Sequence, residues 1–389
     1  MKTLIVEGWR TSCHSYALVN QHQLLHLLDD PRFCLYHRDV LFARPHWAGI
    51  DSGLPEGDKA RLAAIAPPTP GVREDVIYRI SFPFRVYPGA GRVFVFATSE
   101  LIRTLPLDCV GADGRRDSAQ PGTVDIVTPS EWSRRGFLQA GYSPDRVHLV
   151  PHGIDPAVAA PFPPAQRRQF RDTLGLRDEE FAFLNISAMT WNKGIGPLIA
   201  AFAVHRRAHP ASVLLLKGGD ALYGNVIQSS IDEARRLRPE VRDPTLFDSI
   251  RYIPQNLSRD EVTRLYRATD AYISPYRAEG FNLPVLEAMA AGLPVIVTRG
   301  GATDDFCLER TGLKIAADFV SDDEREYLEP RVDSIIEQMS RMVEDASLRE
   351  RLALAWRESA VQRFSWKHAA DSLAQVLLGA PARSAVMPR

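Results

Sequence analysis

The stretch EGFNLPVLEAMAAGLP at 279–294 decides the fold. It follows AYISP (271–275), a short apolar run that predicts a buried strand, and its alanine-rich part ends at Gly292 and Pro294. Pro284 fits the first turn of a helix, because an amide donor is not needed there. The stretch therefore predicts a strand, a loop and a helix of about two turns, with the amino end of the helix beside the carboxyl end of a parallel strand.

Two glutamates belong to this loop and helix. Glu279 lies in the loop, and we expect Glu287 within the first helical turn, so the two do not stack on one helical face. We expect them to contact different parts of one extended ligand, with loop amides seating phosphate or sugar oxygens. The alternative is that Glu279 is a solvated loop residue and that Glu287 only complements the helix dipole.

Short apolar runs alternate with segments of helical period along the whole chain. This alternation predicts parallel sheets flanked by helices. The predicted strands are 3–7, 75–80, 92–98, 124–130 and 146–151 in a first series, and 181–187, 212–218, 249–254, 271–275 and 294–298 in a second. Ser15 and Ser130 are predicted helix N-caps, Gly141 ends the second of these helices, and the tail at 333–378 is predicted to be helical.

The domain boundaries follow from a change of composition. The segment 152–180 is rich in proline and then in charged residues, which is typical of a connection between domains. We predict an α/β fold of two Rossmann-like doubly wound domains that face each other across a cleft, at 1–165 and 166–365, and a C-terminal helical segment at 366–389 that packs back on the first domain. Ligands of such sheets bind beyond the carboxyl ends of the strands.

Composition excludes several classes of protein. The 389 residues include 47 Lys and Arg against 48 Asp and Glu, so no net field attracts nucleic acid or an anionic membrane. The four cysteines are far apart and form no C-x-x-C pair, which argues against a zinc knuckle or a disulfide framework and favours a cytoplasmic location. No run reaches the about 18 apolar residues of a membrane span, and three aliphatic residues at the N-terminus are too few for a signal peptide.

One segment leaves a membrane contact open. RISFPFRVYPGAGR (79–92) mixes aromatic residues with arginines, a combination that suits a lipid-linked acceptor or weak peripheral association with a membrane. The favoured alternative is a hairpin or a strand edge, because the chain has no net basic charge.

The stretch at 279–294 resembles the E-x7-E signature of the GT4 family of retaining glycosyltransferases, which have the GT-B architecture, and the likeness continues through VIVTRGGATDDF (295–306). The segments 124–155, ISAMTWNKGIGPLIAAFA (186–203) and 252–276 are also similar to that family. The resemblance covers most of 124–306 and is faint in the N-terminal third, which is expected to recognise the acceptor.

The resemblance implies roles for residues of the second domain. It implies that Glu287 binds the ribose hydroxyls of a nucleotide, that Lys193 binds the diphosphate, and that Glu279 holds the donor sugar together with the loop Gly280, Phe281, Asn282 and Leu283. An ionised carboxylate suits a vicinal diol because it only accepts hydrogen bonds.

The chain departs from the family in the stretch about five residues before Lys193. An arginine is usual there, whereas this chain has SAMT (187–190), so Thr190 is expected to supply a hydroxyl to the phosphate. Gly8 and the loop that follows Lys217 come after predicted strands and are expected neighbours of the phosphates or the base.

Three residues of the first domain are weaker candidates. Many relatives have a histidine near the reacting carbon, and Glu100 stands at a comparable place here, so a catalytic role for Glu100 is weighed against a capping or ion-pair role. His14 in the first loop is a candidate for contact with the donor phosphates or the acceptor, and His152 in PHGID is a candidate for a hinge role or for contact in the cleft. Each has a local structural role as its alternative.

The predicted function is that of a hexosyltransferase-type retaining glycosyltransferase that moves a sugar from a nucleoside-diphosphate sugar to a glycan or lipid-linked acceptor. The resemblance implies work in bacterial cell-surface polysaccharide or lipopolysaccharide synthesis, at the inner face of the membrane. The sequence contains no Asp-x-Asp, so we expect neither a metal nor another cofactor. The alternatives are a GT-B sugar-nucleotide epimerase and a noncatalytic protein that binds nucleotide sugars.

Overall fold

A computed structural model describes residues 1–101, 109–111, 122–160, 162–321, 325–360 and 363–380. The contacts between these residues define two compact units, and the chain passes from the first to the second between Gly153 and Ile154. It returns to the first unit at Phe364. Residues 381–389 of the predicted C-terminal segment lie outside the described residues.

The first unit is built on a six-stranded parallel sheet with the strand order β2-β1-β3-β5-β7-β8. β4 pairs with β6 in a small separate sheet. The bounds of its elements are β1 Lys2–Gly8, α1 Ser15–Leu27, β2 Phe33–Asp39, α2 Glu56–Ala63, β3 Val76–Ile80, β4 Phe84–Arg85, β5 Arg92–Phe96, β6 Cys109–Val110, β7 Asp125–Thr128, α3 Glu131–Gln139 and β8 Val147–Leu149.

The second unit has its own six-stranded parallel sheet, with the order β11-β10-β9-β12-β13-β14, and an antiparallel hairpin, β15-β16. Its elements are α4 Pro156–Ala159, α5 Pro164–Thr173, β9 Phe181–Ile186, α6 Ile195–Ala208, β10 Ser212–Lys217, α7 Asp220–Tyr223, α8 Ile227–Leu237, β11 Ile250–Ile253, α9 Arg259–Ala268, β12 Ala271–Ser274, α10 Leu283–Ala290, β13 Val295–Thr298, β14 Leu313–Ile315, β15 Ala317–Ser321, β16 Glu326–Pro330, α11 Val332–Glu344 and α12 Ala346–Ala360.

The last helix, α13 (Trp366–Leu377), belongs to the first unit and packs against α1. Both sheets are buried on their two faces, as a parallel sheet between helices requires. In the second unit the core runs through the central strands, where Phe183, Leu214, Ile273 and Ile296 are inaccessible to solvent. The predicted α/β class with two Rossmann-like units is confirmed.

The ten predicted strands are all present, within a few residues of their expected ends. Two strands at sheet edges, β2 and β14, are additional, because the polar residues of FCLYHRD and the shortness of LKI hide the strand pattern. The N-cap of α1 is His14, so the prediction of Ser15 is wrong: the Nδ1 atom of His14 accepts the amide of Tyr16 at 3.1 Å. The segment 152–180 is partly helical, through α4 and α5.

The aromatic and basic segment at 79–92 is folded into the end of the first sheet. Arg79 is 2% exposed, its Nε donates to Glu7 Oε2 at 2.8 Å, and its guanidinium lies 3.9 Å from the ring centre of Tyr87. This arginine is therefore engaged within the protein. Within the described residues there is no helix of sufficient length and apolar character to cross a membrane.

Candidate functional site

The loop between β12 and α10 brings the amino end of the helix to the carboxyl edge of the second sheet. Asn282 precedes the helix in the left-handed conformation, with φ 72°, and its Nδ2 donates to Ser274 Oγ at 2.9 Å. Pro284 lies in the first turn, as predicted, and Gly292, with φ 79°, follows the last turn. The amides of Asn282 and Leu283 have no hydrogen-bond acceptor among the residues that the structure describes. These two amides can donate hydrogen bonds to an anion.

Lys193 and Glu279 form an ion pair at this edge. The Nζ atom of Lys193 lies 3.0 Å from Glu279 Oε2, and the two side chains keep 15% and 12% of their surface exposed. The pair is thus partly shielded but remains open to a ligand. A cation and a carboxylate side by side, next to the amino end of a helix, can bind a phosphate and a hydroxyl group of one molecule.

The turn that carries Lys193 packs directly on the loop that carries Glu279. The amides of Arg277 and Ala278 both donate to the carbonyl of Asn192, at 2.8 and 3.2 Å. Gly194, with φ 67°, makes this approach possible, because a Cβ atom there would lie 1.8 Å from the carbonyl oxygen of Pro275. The glycine of WNKG is therefore required by packing and backbone conformation.

Arg277 connects the turn that carries Lys193 with α8 and with the hairpin β15-β16. Its Nη1 donates to the carbonyl of Trp191 at 2.9 Å, and its guanidinium lies 4.9 Å from the ring centre of that tryptophan. Its Nη2 donates to Glu233 of α8 at 2.6 Å and to Glu329 of β16 at 2.8 Å, and its Nε donates to Glu329 at 2.7 Å. The hairpin β15-β16 is thereby attached to the turn that carries Lys193.

Glu287 is nearly buried, with 4% of its surface exposed. Helix α10 begins at Leu283, so Glu287 is its fifth residue, and the prediction of a place in the first turn is wrong. Its Oε1 accepts from Arg259 Nη2 at 2.5 Å and its Oε2 accepts from the hydroxyl of Tyr266 at 2.9 Å. Burial first, and then the charges of Glu279 and Glu287, raise the pKa of Tyr272, so both carboxylates act on one buried tyrosine.

The other predicted residues of the second unit lie around the same strand ends. The hydroxyl of Thr190 donates to Asn192 Oδ1 at 2.6 Å, an internal bond that the sequence did not suggest. Lys217 is nearly buried at the end of β10, and its Nζ donates to the carbonyl of Gly218. Gly280 is buried, and Phe281 packs its ring 5.0 Å from that of Phe306.

Gly8 and Glu100 lie in the first unit. A Cβ atom on Gly8 would come within 2.6 Å of the carbonyl oxygen of Ile80 and 2.9 Å of Asn20 Nδ2, so close packing of β1 on its neighbours accounts for this glycine. Glu100 is half-buried, and its carbonyl accepts from Trp132 Nε1 at 2.8 Å. These contacts explain the two positions structurally, and their predicted roles remain predictions.

His14 and His152 are buried aromatic groups in the first unit. His14 lies 4.7 Å from the ring of Trp47, and burial lowers its pKa to about 4. His152 lies between Phe96 and Trp366, at 5.6 and 5.8 Å, and burial lowers its pKa to about 3. Both imidazoles are therefore neutral near pH 7, so neither supplies a positive charge for binding a phosphate.

The sequence prediction missed four residues of this site, which are Asn192, Arg277, Arg259 and Tyr266. A spacing of seven residues places Arg259 and Tyr266 on one face of α9, and this spacing was the available indication. The prediction also included metal independence. In the described part of the chain no cluster of three or more His, Cys, Asp or Glu has the arrangement of a metal site.

Solved structures of other proteins match the fold of this chain. HepE of Anabaena, in complex with UDP-glucose, superposes with a TM-score of 0.70 at 15% identity, over 97% of this chain and 100% of that one. WaaG, a glycosyltransferase involved in lipopolysaccharide biosynthesis, superposes with a TM-score of 0.64 at 14% identity, again over 97% of this chain and 100% of that one. The fold is accordingly the GT-B fold of glycosyltransferases.

The match to a family model falls on the second unit. Residues 166–358 match the family model described as glycosyl transferases group 1, and through this segment the chain belongs to that family. The D-inositol 3-phosphate glycosyltransferase of Stackebrandtia nassauensis is 30% identical over 247 residues, which are 63% of this chain and 52% of that relative. The chain thus spans about half the length of this relative.

Proposed function

We propose that this chain is a retaining glycosyltransferase that moves a sugar from a nucleoside-diphosphate sugar to a glycan or lipid-linked acceptor. One observation carries the proposal: the ion pair of Lys193 and Glu279, 3.0 Å long, lies beside the amino end of α10 at the carboxyl edge of a parallel sheet. Nucleotides bind at this edge in open α/β sheets. HepE, with the same fold, binds UDP-glucose.

The diphosphate binds at the positively charged part of the site, which is formed by Lys193 and the amino end of α10. Lys193 supplies a full charge, and the amides of Asn282 and Leu283 supply donors that lack an acceptor among the described residues. A fixed cation and fixed amides stabilise charge that grows on a leaving group without rearranging at the moment of reaction. Since no arginine stands before the turn, Lys193 carries a larger share of this charge than in the family pattern.

The two carboxylates take the hydroxyl groups of the donor. Glu279 contacts Lys193, the proposed ligand of the diphosphate, and this contact supports a role for Glu279 with the hydroxyls of the transferred sugar. Glu287, the fifth residue of α10 and nearly buried, suits the ribose. Hydrogen bonds from a hydroxyl to a carboxylate contribute about 1.5–3 kcal/mol each.

The chemical step needs no protein nucleophile. The bond between the sugar C1 and the leaving phosphate oxygen breaks, and a bond forms between C1 and the acceptor oxygen on the same face of the ring. The acceptor proton passes to the leaving phosphate oxygen, so charge and atoms balance. Lys193 holds the charge of the leaving diphosphate throughout, and Glu279 holds the sugar in place.

We further propose that the donor site works without a metal ion, which the absence of Asp-x-Asp from the sequence supports. We also propose a role in cell-surface polysaccharide or lipopolysaccharide synthesis at the cytoplasmic face of the membrane; WaaG, which has the same fold, is involved in lipopolysaccharide biosynthesis. The widely separated cysteines support the same compartment.

Thermal shift with UDP, GDP, ADP and their hexose conjugates tests the nucleotide site, because a ligand that binds the native state raises the melting temperature. With the nucleotide sugar that raises the melting temperature as the donor, Lys193→Ala should lower turnover by about 10²–10³. Lys367→Ala is the matched control, since that lysine is exposed on α13. Native turnover in Lys193→Ala, or no nucleotide that raises the melting temperature, contradicts the proposal. Analysis of the product by NMR separates the alternatives: a sugar linked to the acceptor indicates transfer and not epimerisation, and an anomeric configuration equal to that of the donor indicates retention.

A further inference from the structure

Helix α9 presents two hydrogen-bond donors to Glu287 from one face. Arg259 is the first residue of the helix and Tyr266 follows seven positions later, two turns along the same side. Arg259 Nη2 donates to one carboxylate oxygen of Glu287 at 2.5 Å, and the Tyr266 hydroxyl donates to the other at 2.9 Å. The two contacts thus divide the carboxylate between them, one donor to each oxygen.

This division determines what a ligand finds at Glu287. The last torsion of a glutamate side chain is soft, so a carboxylate without fixed partners turns through a wide range. Its two oxygens have about four acceptor positions in all. One position on each oxygen is taken by Arg259 or Tyr266, which leaves one on each for a ligand and fixes the plane in which they lie.

We propose that Arg259 and Tyr266 are positioning residues that aim the remaining lone pairs of Glu287 at the 2′- and 3′-hydroxyls of the ribose. By doing so they make the site select ribonucleotides over deoxyribonucleotides. The inference rests on the proposed function, because it takes Glu287 as the ribose ligand.

Both donors are held firmly enough for this role. Ser258 caps α9 in a reciprocal arrangement with Glu261, which fixes the backbone at Arg259. Tyr266 is 1% exposed, and burial first, and then the charge of Glu287, keep the pKa of its hydroxyl well above its ordinary value. The hydroxyl therefore stays protonated at physiological pH and remains a donor to the carboxylate.

The test measures a ratio of affinities. UDP, GDP and ADP are each titrated by calorimetry beside their 2′,3′-dideoxy counterparts, with the native protein, Tyr266→Phe and Arg259→Lys. We expect the native protein to prefer the ribonucleotide by at least about 100-fold, because the dideoxynucleotide lacks both hydroxyl-to-carboxylate bonds, and each variant to reduce that preference by at least about threefold. A merely structural loss would weaken both ligands equally and leave the ratio unchanged.

Tyr272→Phe is the matched control. Its ring lies 6.0 Å from that of Tyr266 and is equally buried, but its hydroxyl bonds to the backbone of Ile186 and makes no described hydrogen bond to Glu287. It should keep the native ratio.

The outcomes separate the inference from the function on which it rests. A native preference that Tyr266→Phe and Arg259→Lys both retain overturns the positioning role and leaves the glycosyltransferase proposal in place. The absence of any native preference removes Glu287 as the ribose ligand, and the inference with it. Failure of all three nucleotides to bind contradicts the proposed function itself.

Discussion

Replacing Arg277 by methionine is the sharpest test of how the turn carrying Lys193 is held. The change removes three hydrogen bonds to the carboxylates of Glu233 and Glu329, of 2.6 to 2.8 Å, and one to the Trp191 carbonyl of 2.9 Å. Breaking a buried ion pair by removing one partner lowers stability by about 3–5 kcal/mol, because a charge stays buried without compensation.

The expected loss lies at the lower end of that range. The side chains of Glu233 and Glu329 are 20% and 36% exposed, so water partly solvates the carboxylates that remain. We therefore expect Arg277→Met to lower the free energy of unfolding of the second unit by ~3 kcal/mol, which corresponds to a fall in melting temperature of roughly 6–12 °C for a unit of this size.

Urea unfolding and differential scanning calorimetry measure these two quantities. In the matched variant, Glu233→Gln and Glu329→Gln accompany Arg277→Met, so no charge is left uncompensated, and at least about half of the lost stability should return. A loss below about 1 kcal/mol for Arg277→Met alone, the value of an exposed ion pair, would refute the reasoning. So would equal destabilisation of the single and the triple variant.

Two further predictions concern backbone fit and pH. Gly194→Ala should lower stability by at least about 2 kcal/mol in urea unfolding, because its Cβ would meet the Pro275 carbonyl in a left-handed residue, whereas Gly71→Ala, also with positive φ but in open space, should lose less. His14 and His152 have pKa values of about 4 and about 3 in the folded protein, below the ordinary 6.5, so they take up protons on unfolding. Stability is then complete above about pH 6.5 and falls as the pH drops toward 4, by about 2 kcal/mol per histidine at pH 5. His14→Asn, which keeps a capping side chain, should lower the dependence of the unfolding free energy on pH by about one proton, and an unchanged slope would contradict this prediction.

Local pattern was sufficient to predict much of the second unit. The runs FAFLNIS and AYISP are continuous apolar segments between turns, and the placement of Pro284 and Gly292 marks both ends of α10. Glu279 was placed correctly in a loop, since the helix starts after Asn282. These features depend on neighbours within a few positions, where sequence spacing and spatial distance coincide.

Contacts between distant segments were not predictable from that pattern. The pairing of Arg259 with Glu287 spans 28 positions and the contact of Arg277 with Glu329 spans 52, so neither follows from spacing along one element. His14 as an N-cap was missed because imidazole is an unusual cap beside Ser15, the common type. The hairpin β15-β16 was not predicted, because its segment is polar and its contact with the site is the hydrogen bonding of Arg277 to Glu329.

A crystal structure with the nucleoside-diphosphate sugar that most raises the melting temperature tests the central claim most directly. The account predicts that the diphosphate lies within hydrogen-bond distance of Lys193 Nζ and of the amides of Asn282 and Leu283. It also predicts the sugar hydroxyls on Glu279 and the ribose hydroxyls on Glu287. A nucleotide bound away from the amino end of α10, or a diphosphate held by residues other than Lys193, would contradict it.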